Sequence, residues 1–212
     1  MSGGVTSGVA LQTLDDVEKA CRRAADLTRR LLTFATGGAP VKRSTDVGRL
    51  VLDSVRFALS GSRVRGECRL APDLWSADLD EGQIAQVFHN LAINAAHAMP
   101  DGGHLTVTGQ NLPDAGELPY AAVDAVPCVR IDFRDDGPGI LPEHLHRIFD
   151  PYFTTKAAGS GLGLAAAHSV VRAHGGHLTV ESVPGQGATF TVILPATPGL
   201  QAPISGSRSQ AR

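Results

Sequence analysis

Two asparagines and a histidine occupy one stripe of a predicted helix in the middle of the chain. Asn90, Asn94 and His97 lie in the segment HNLAINAAHAM with spacings of four and three residues, which places their side chains on one helix face. Asparagine is a poor residue for a helix interior, because its side chain competes for backbone hydrogen bonds. The spacing is compatible with a shared polar pocket. A polar helix edge explains these three residues equally well when they are taken alone.

Two glycine-rich segments offer further ligand chemistry. In DDGPGI the carboxylate of Asp135 follows a predicted strand, and Gly137 and Gly139 let a flat ligand approach the backbone. Such a carboxylate can accept a hydrogen bond from an amino group and so read an adenine edge, whereas a plain β-turn is the alternative. In GSGLGL, over residues 159–164, glycines open directly into a predicted helix, where free N–H groups favour phosphate. The segment is not a dinucleotide-binding fingerprint, because no strand immediately precedes it.

The elements that must position these segments follow from the hydrophobic periodicity. An amphipathic helix with a coiled-coil-like seam is predicted from about Leu11 to Ala35, and Gly37, Gly38 and Pro40 end it. Further helices are predicted over 45–59, 81–99, 142–148 and 161–174, and extended segments over 64–79, 104–110, 127–134, 177–182 and 188–194. This mixture predicts an α+β fold, with an antiparallel sheet covered on one face, preceded by one amphipathic helix.

Composition limits the function classes. The chain has 212 residues, 42% of them hydrophobic, and a net charge of -2 with dispersed basic residues, which disfavours nucleic acid as a partner. The three cysteines are odd in number and widely spaced, so neither a disulfide framework nor a zinc site is expected. No apolar run reaches the roughly 18 residues of a membrane span, and no secretory signal is present, so we expect a cytoplasmic protein without a membrane segment in this chain.

The segments HNLAINAAHAM, DDGPGI, RIFDPYFTTK and GSGLGL stand in this order along the chain. Together they resemble the N, G1, F and G2 boxes of histidine kinase catalytic domains, whose Bergerat ATP-binding fold is shared with gyrase, a heat-shock chaperone and mismatch-repair ATPases. The resemblance covers roughly residues 41–195. It implies a two-layer α/β sandwich that binds ATP and Mg²⁺.

The resemblance also implies roles for individual residues. Asn94 would coordinate the magnesium that bridges the triphosphate, with Asn90 assisting, and both would act with Lys156 in catalysis. Asp135 would accept the exocyclic amine of adenine, and His97 would face the phosphates. The other implied nucleotide contacts are Gly137, Gly139 and Ile140 near adenine, Phe149, Thr154, Thr155 and Lys156 in or beside the ATP lid, Gly159, Gly161, Leu162 and Gly163 at the phosphates, and Thr189 near the adenine carboxylate.

The domain plan follows from the same resemblance. Residues 1–40 resemble the second helix and linker of the dimerisation and histidine-phosphotransfer hairpin, residues 41–196 form the predicted ATP-binding domain, and residues 197–212 form a predicted disordered tail rich in Pro, Ser and Gly. None of the eight histidines matches the phosphoacceptor of the first hairpin helix. We therefore expect the acceptor on another segment or chain, a homodimer when the hairpin is complete, and a response regulator receiver domain as partner.

Three functions remain open at this stage. Hydrolytic relatives place a glutamate four residues before the magnesium asparagine, but Asn90 stands there and cannot serve as a general base, which favours phosphoryl transfer. A non-catalytic, nucleotide-regulated docking module is one alternative, and the intact glycines and both asparagines argue against it. An anti-sigma-type serine kinase is the other, and the long N-terminal helix argues against it.

Overall fold

The computed structural model describes residues 39–113, 127–156 and 159–199. The predicted N-terminal helix and most of the predicted tail fall outside these ranges. The helices are α1 (Val47–Leu59), α2 (Glu81–Ala98), α3 (Pro142–Leu145) and α4 (Gly163–Ala173). The strands are β1 (Arg43–Thr45), β2 (Val64–Leu70), β3 (Ala77–Leu79), β4 (Gly103–Leu112), β5 (Cys128–Asp135), β6 (His177–Ser182) and β7 (Ala188–Pro195).

The main sheet has five strands in the order β2-β4-β5-β7-β6, and β1 pairs with β3 in a separate two-stranded sheet. The prediction of an antiparallel sheet is wrong for one edge, because β2 pairs parallel with β4 from Val64 and Gly103 onward. Between these two strands the chain passes through β3 and α2, and a long helical crossover of this kind returns a strand in the parallel direction. The sheet is therefore mixed.

The helices cover one face of the sheet. In β5 the side chains of Val129, Ile131 and Phe133 are fully buried, as their alternation in the sequence predicts. On α2, the buried stripe contains Ile84, Val87, Phe88, Leu91 and Ala95. The stripe and the β5 side chains belong to one hydrophobic core, so the predicted α+β two-layer arrangement is confirmed.

The opposite sheet face carries polar side chains together with a small buried apolar cluster of Cys128 and Ile193. Arg130 and Asp132 form an ion pair there, with 2.9 Å between Arg130 Nε and Asp132 Oδ1. The hydroxyl of Thr191 on β7 donates to the same carboxylate at 2.6 Å. These polar side chains thus bond to one another on the side of the sheet away from the main core. None of the helices in the described ranges has the length and apolarity that crossing a membrane requires.

The helix α2 is fixed at its start by its own cap. Asp80 accepts a hydrogen bond from the Gln83 backbone N–H at 3.2 Å, which satisfies one of the unpaired donors of the first turn. Beyond Ala98 the chain turns through Met99 and Gly102, and Gly102 adopts a positive φ of 107°. Both ends of the helix are thus defined, which fixes the position of its side chains along the sheet.

Candidate active site

The helix α2 contacts both glycine-rich segments. Near its middle, Asn90 Nδ2 donates to the carbonyl oxygen of Gly163 at 3.3 Å. Near its end, Ala98 lies so close to Gly137 that a Cβ on that glycine would stand 3.4 Å from the Ala98 Cβ. Asn94 is one helical turn from each contact, so its partly buried side chain lies between the two glycine-rich segments.

Asp135 is the last residue of β5 and is buried, with 6% of its surface exposed. Its Oδ1 accepts hydrogen bonds from the backbone N–H groups of Gly137 at 3.0 Å and Ala188 at 3.3 Å. Burial raises the pKa of this carboxyl, and the two backbone donors oppose that rise. Since both bonds use Oδ1, Oδ2 is the oxygen that can accept a hydrogen bond from a ligand.

The turn after Asp135 is held by the connection between β6 and β7. The backbone N–H of Ile140 donates to Ser182 Oγ at 2.9 Å, and the Ser182 hydroxyl donates to the Gly187 carbonyl at 2.7 Å. Gly139 has a φ of 72°, and any side chain there would collide with the carbonyl of Val183. The geometry therefore requires glycine at this position.

The second glycine-rich segment leads into α4 with an open helix start. Gly161 has a φ of 67° and packs against the backbone of Tyr152, whose N–H donates to the Gly161 carbonyl at 3.0 Å. Leu162, the N-cap residue, is buried and provides no side-chain hydrogen bond to the first turn. The first turn of α4 thus has no side-chain cap from Leu162, and a helix start of this kind favours an anion such as a phosphate.

Two phenylalanines anchor the segment between α3 and α4. Phe149 stacks on the imidazole of His168 with ring centroids 4.9 Å apart. Phe153 lies under the guanidinium of Arg147 at 4.8 Å and beside the His144 ring. Both side chains pack against the main core. The segment that begins at Thr154 is therefore anchored where it starts.

Exposed residues follow these anchors, and one of them reaches α2. Thr154, Thr155, Lys156 and Gly159 are exposed. Lys156 Nζ approaches the backbone carbonyl of Asn94 at 3.5 Å. Although the residue as a whole is exposed, burial of its ammonium lowers the pKa of Lys156, and the negative charge of Asp135 opposes this shift. A positive group is thus placed beside Asn94.

His97 and Thr189 were also predicted as nucleotide contacts. His97 lies exposed in the last turn of α2. Thr189, which the resemblance places near Asp135, pairs across the sheet with Arg134, the residue before Asp135, so its side chain points to the face opposite that of Asp135. Its neighbour Ala188 contacts Asp135 instead, through the backbone N–H. A contact between Thr189 and a nucleotide stays a prediction.

Two side chains that hold the site together were not predicted. Gln86 Nε2 donates to Asn90 Oδ1 at 2.9 Å, and Ser182 links the Ile140 N–H to the Gly187 carbonyl. The spacing of four residues between Gln86 and Asn90 is a signal that could have identified the first. Ser182 depends on contact between segments more than forty residues apart, for which the local sequence carries no signal.

The side chains of the site are compatible with a magnesium ion that is bound by protein and nucleotide together. Among the residues that the structure describes, no group of three or more His, Cys, Asp or Glu side chains could hold a metal ion. Magnesium in nucleotide sites is bound by one or two protein oxygens together with phosphate oxygens and water. The oxygen of Asn90 already accepts from Gln86, so the side chain of Asn94 is the better candidate ligand.

Comparison with known proteins agrees with this geometry. Residues 79–198, more than half of the chain, match the family described as histidine kinase-, DNA gyrase B-, and HSP90-like ATPase. The chain is 35% identical over 187 residues to the sensor kinase CckA of Brucella abortus, covering 85% of this chain and 20% of that protein. It is 40% identical over 156 residues to the sensor histidine kinase ZraS of Klebsiella oxytoca, covering 72% of this chain and 31% of that protein.

A solved structure shows the same architecture. The mycobacterial sensor histidine kinase MprB is 26% identical and superposes with a TM-score of 0.61, over 74% of this chain and 99% of that one. The chain spans 20% of the length of CckA and 31% of that of ZraS. The chain belongs to the family of histidine kinase-, DNA gyrase B- and HSP90-like ATPases, and it is homologous to the catalytic domains of sensor histidine kinases.

Proposed function

We propose that this chain binds ATP with magnesium and transfers the γ-phosphoryl group to a histidine on another segment or chain, for relay to a response regulator receiver domain. The observation that carries this proposal is the position of Asn94 between two glycine-rich segments, one beside a buried carboxylate and one at an open helix start. A carboxylate suits the amino group of adenine, and an open helix start suits phosphates. These features lie along one helix, so a single nucleoside triphosphate could contact both of them.

The residues divide into an adenine end and a phosphate end. At the adenine end, Asp135 Oδ2 would accept a hydrogen bond from the exocyclic amine. The wall of the pocket there would be formed by Gly137, Gly139 and Ile140. At the phosphate end, the backbone around Gly161, Leu162 and Gly163 and the ammonium of Lys156 would hold the phosphate oxygens. Thr154, Thr155 and Gly159 would belong to the lid over them.

Magnesium, when bound through Asn94, would neutralise charge on the phosphate oxygens and align the γ-phosphoryl group. The chain itself supplies positioning. The amide of Asn90 cannot take a proton from water, and its oxygen already accepts from Gln86, so this site lacks the general base that hydrolysis would need at that position. Transfer to a histidine nucleophile needs no base from this helix, which favours kinase chemistry over hydrolysis.

The acceptor histidine would come from a helical hairpin, and the N-terminal residues 11–35 would supply one of its helices. In the complete protein we propose a homodimer formed through that hairpin. The family resemblance of residues 1–40 and the identity to sensor kinases over most of the chain support this assignment. Of the eight histidines of the chain, His168 stacks on Phe149 and His174 is buried at the end of α4.

A transfer experiment in trans tests the proposal. The chain is incubated with magnesium and ATP labelled in the γ position, alone and with a hairpin fragment that carries a histidine followed by an acidic residue. We expect ATP binding by the chain alone and acid-labile label on the fragment. Transfer should be slow, because separate molecules lack the millimolar-range effective concentration that covalent linkage provides.

Each outcome of this experiment has a distinct meaning. Acid-stable phosphate would indicate a serine kinase, since phosphoserine survives acid and phosphohistidine does not. ATP binding without transfer to any hairpin would indicate a docking module. Rapid labelling of one of the chain's own histidines would contradict the assignment of the acceptor to another segment or chain.

A further inference from the structure

We propose that Gln86 is a positioning residue that orients the side-chain amide of Asn90 and thereby holds the start of α4 at the phosphate end of the site. The inference deepens the proposed function and rests on it. Gln86 Nε2 donates to Asn90 Oδ1 at 2.9 Å, and Asn90 Nδ2 donates to the Gly163 carbonyl at 3.3 Å. Three groups thus form one chain of hydrogen bonds from α2 to the first residue of α4.

The Gly163 carbonyl at the end of this row of hydrogen bonds determines the direction of each bond in it. The Gly163 carbonyl can accept but not donate, so the NH₂ group of Asn90 must face it. The oxygen of Asn90 then points along α2 toward Gln86, one helical turn earlier, and Gln86 must present its NH₂ group. Reversing either amide would bring two acceptors or two donors together.

Burial makes this orientation costly to lose. Asn90 is 7% exposed, so water cannot readily replace either of its partners. Without the donor of Gln86, the Asn90 oxygen would be left unsatisfied in the protein interior, and the amide would gain by turning away from Gly163. The link between α2 and α4 would then be lost.

The effect should be confined to one end of the nucleotide. Gly163 directly follows Gly161 and Leu162, whose backbone belongs to the phosphate end. The adenine end depends on other contacts, since Ser182 and Ala188 hold the turn after Asp135. A change at Gln86 should therefore weaken the hold on phosphates and leave the hold on adenosine intact.

The test compares nucleotide affinities of the whole chain and its variants. Dissociation constants are measured for MgATP, and for adenosine by competition against a fluorescent ATP analogue. Gln86→Glu keeps the shape of the side chain but replaces the donor with an acceptor that repels the Asn90 oxygen. We expect its dissociation constant for MgATP to rise about tenfold, because part of the binding energy must then restore the position of the start of α4, with adenosine affinity changed less than about twofold.

A double-mutant cycle separates positioning from a general effect on stability. Gln86→Glu and Asn90→Ala are combined, and the Gln86 penalty should shrink to about twofold or less once Asn90 is absent. Gln83→Glu makes the same chemical change three residues earlier on α2 and should leave both affinities at the wild-type level. If Gln86→Glu does not fold, Gln86→Met, which removes the donor without adding charge, should show the same selective loss for MgATP.

Several results would overturn the inference. These are an unchanged MgATP affinity in Gln86→Glu, an equal loss for MgATP and adenosine, an undiminished penalty in the Asn90→Ala background, or the same loss in Gln83→Glu. Failure of the proposed function is distinguishable from all of them, because in that case the wild-type chain itself would not bind MgATP.

Discussion

The ammonium nitrogen of Lys156 lies 3.5 Å from the backbone carbonyl oxygen of Asn94. This contact joins the segment before α4 to α2 one turn after Asn90, and the negative charge of Asp135 acts on the same ammonium. A carbonyl oxygen is a weak partner for an ammonium compared with a phosphate. We therefore expect Lys156 to exchange this partner for a phosphate oxygen when a nucleotide binds.

Replacing Lys156 by methionine should raise the dissociation constant for MgATP by about tenfold, since a charge-assisted hydrogen bond to phosphate is lost. The remaining affinity should also depend less on salt, because one charge no longer contributes. Calorimetry at two ionic strengths measures both effects. Lys42→Met is a matched control: Lys42 also donates to a backbone carbonyl, that of His174 at 3.3 Å, but at the opposite end of α4.

Asp135→Asn should raise the dissociation constant for ATP by about tenfold or more, because a hydrogen bond to a charged group contributes about 1.5 to 3 kcal/mol. The amide cannot both accept from Gly137 and Ala188 and present a second acceptor to adenine. Asp136→Asn changes the neighbouring carboxylate, which accepts from the His104 backbone N–H instead, and should have little effect. An ATP affinity within about twofold of wild type in Asp135→Asn would show that this carboxylate does not read adenine.

Asn94→Ala should remove the increase in ATP affinity that magnesium provides, while the melting temperature stays near that of the wild type. The reason is that Asn94 lies between the glycine-rich segments and is only partly buried, so it contributes little to the core. ATP titrations with magnesium and with a chelator measure the effect.

Asn111→Ala should behave in the opposite way. Asn111 accepts from the Trp75 backbone N–H at 2.9 Å and donates to the Asp73 carbonyl, so its loss should lower stability by about 1 kcal/mol and leave magnesium dependence intact. Unfolding of Asn94→Ala at ordinary temperature would assign Asn94 to the structure instead of the site.

The sequence predicted most elements because their periodicity is local. The buried stripe of α2 and the alternation of Val129, Ile131 and Phe133 each follow from spacing within one segment. The parallel pairing of β2 with β4 could not be predicted in this way, because a strand carries no local record of its neighbour's direction. The sheet face of Thr189 could not be predicted for a related reason, since a one-residue difference in register moves a side chain to the other sheet face.

The same distinction applies to the site. The asparagine pair and both glycine-rich segments could be predicted, because chemistry and backbone conformation restrict those residue types. Ser182 could not, because its importance arises where the turn after β6 meets the turn after β5. Gln86 is an intermediate case: its spacing from Asn90 is visible in the sequence, but its hydrogen-bond direction depends on the Gly163 carbonyl.

Stability should depend on pH through His174, which is buried at the end of α4. Its Nε2 accepts from the Asp80 backbone N–H at 3.0 Å, and its Nδ1–H donates to the Val170 carbonyl at 2.8 Å, so the folded chain requires the neutral ring. Burial lowers the pKa of His174; the Val170 carbonyl opposes this shift, and the charge of Lys42 adds to it. Below the ordinary histidine pKa of about 6.5, the unfolded chain therefore binds more protons than the folded chain, and stability falls as pH falls.

His174→Gln should cost about 1 to 3 kcal/mol at pH values above about 7, because buried hydrogen bonds are lost or distorted. The variant has no ring to protonate at this position, so its stability should fall less steeply toward about pH 5 than that of the wild type. The two unfolding free energies should consequently converge in acid. Urea unfolding at several pH values measures this, and a constant difference between the two proteins would show that the His174 ring does not contribute to the pH dependence. The His168 and His177 pKa values are also lowered by burial, so part of the wild-type slope should persist in the variant.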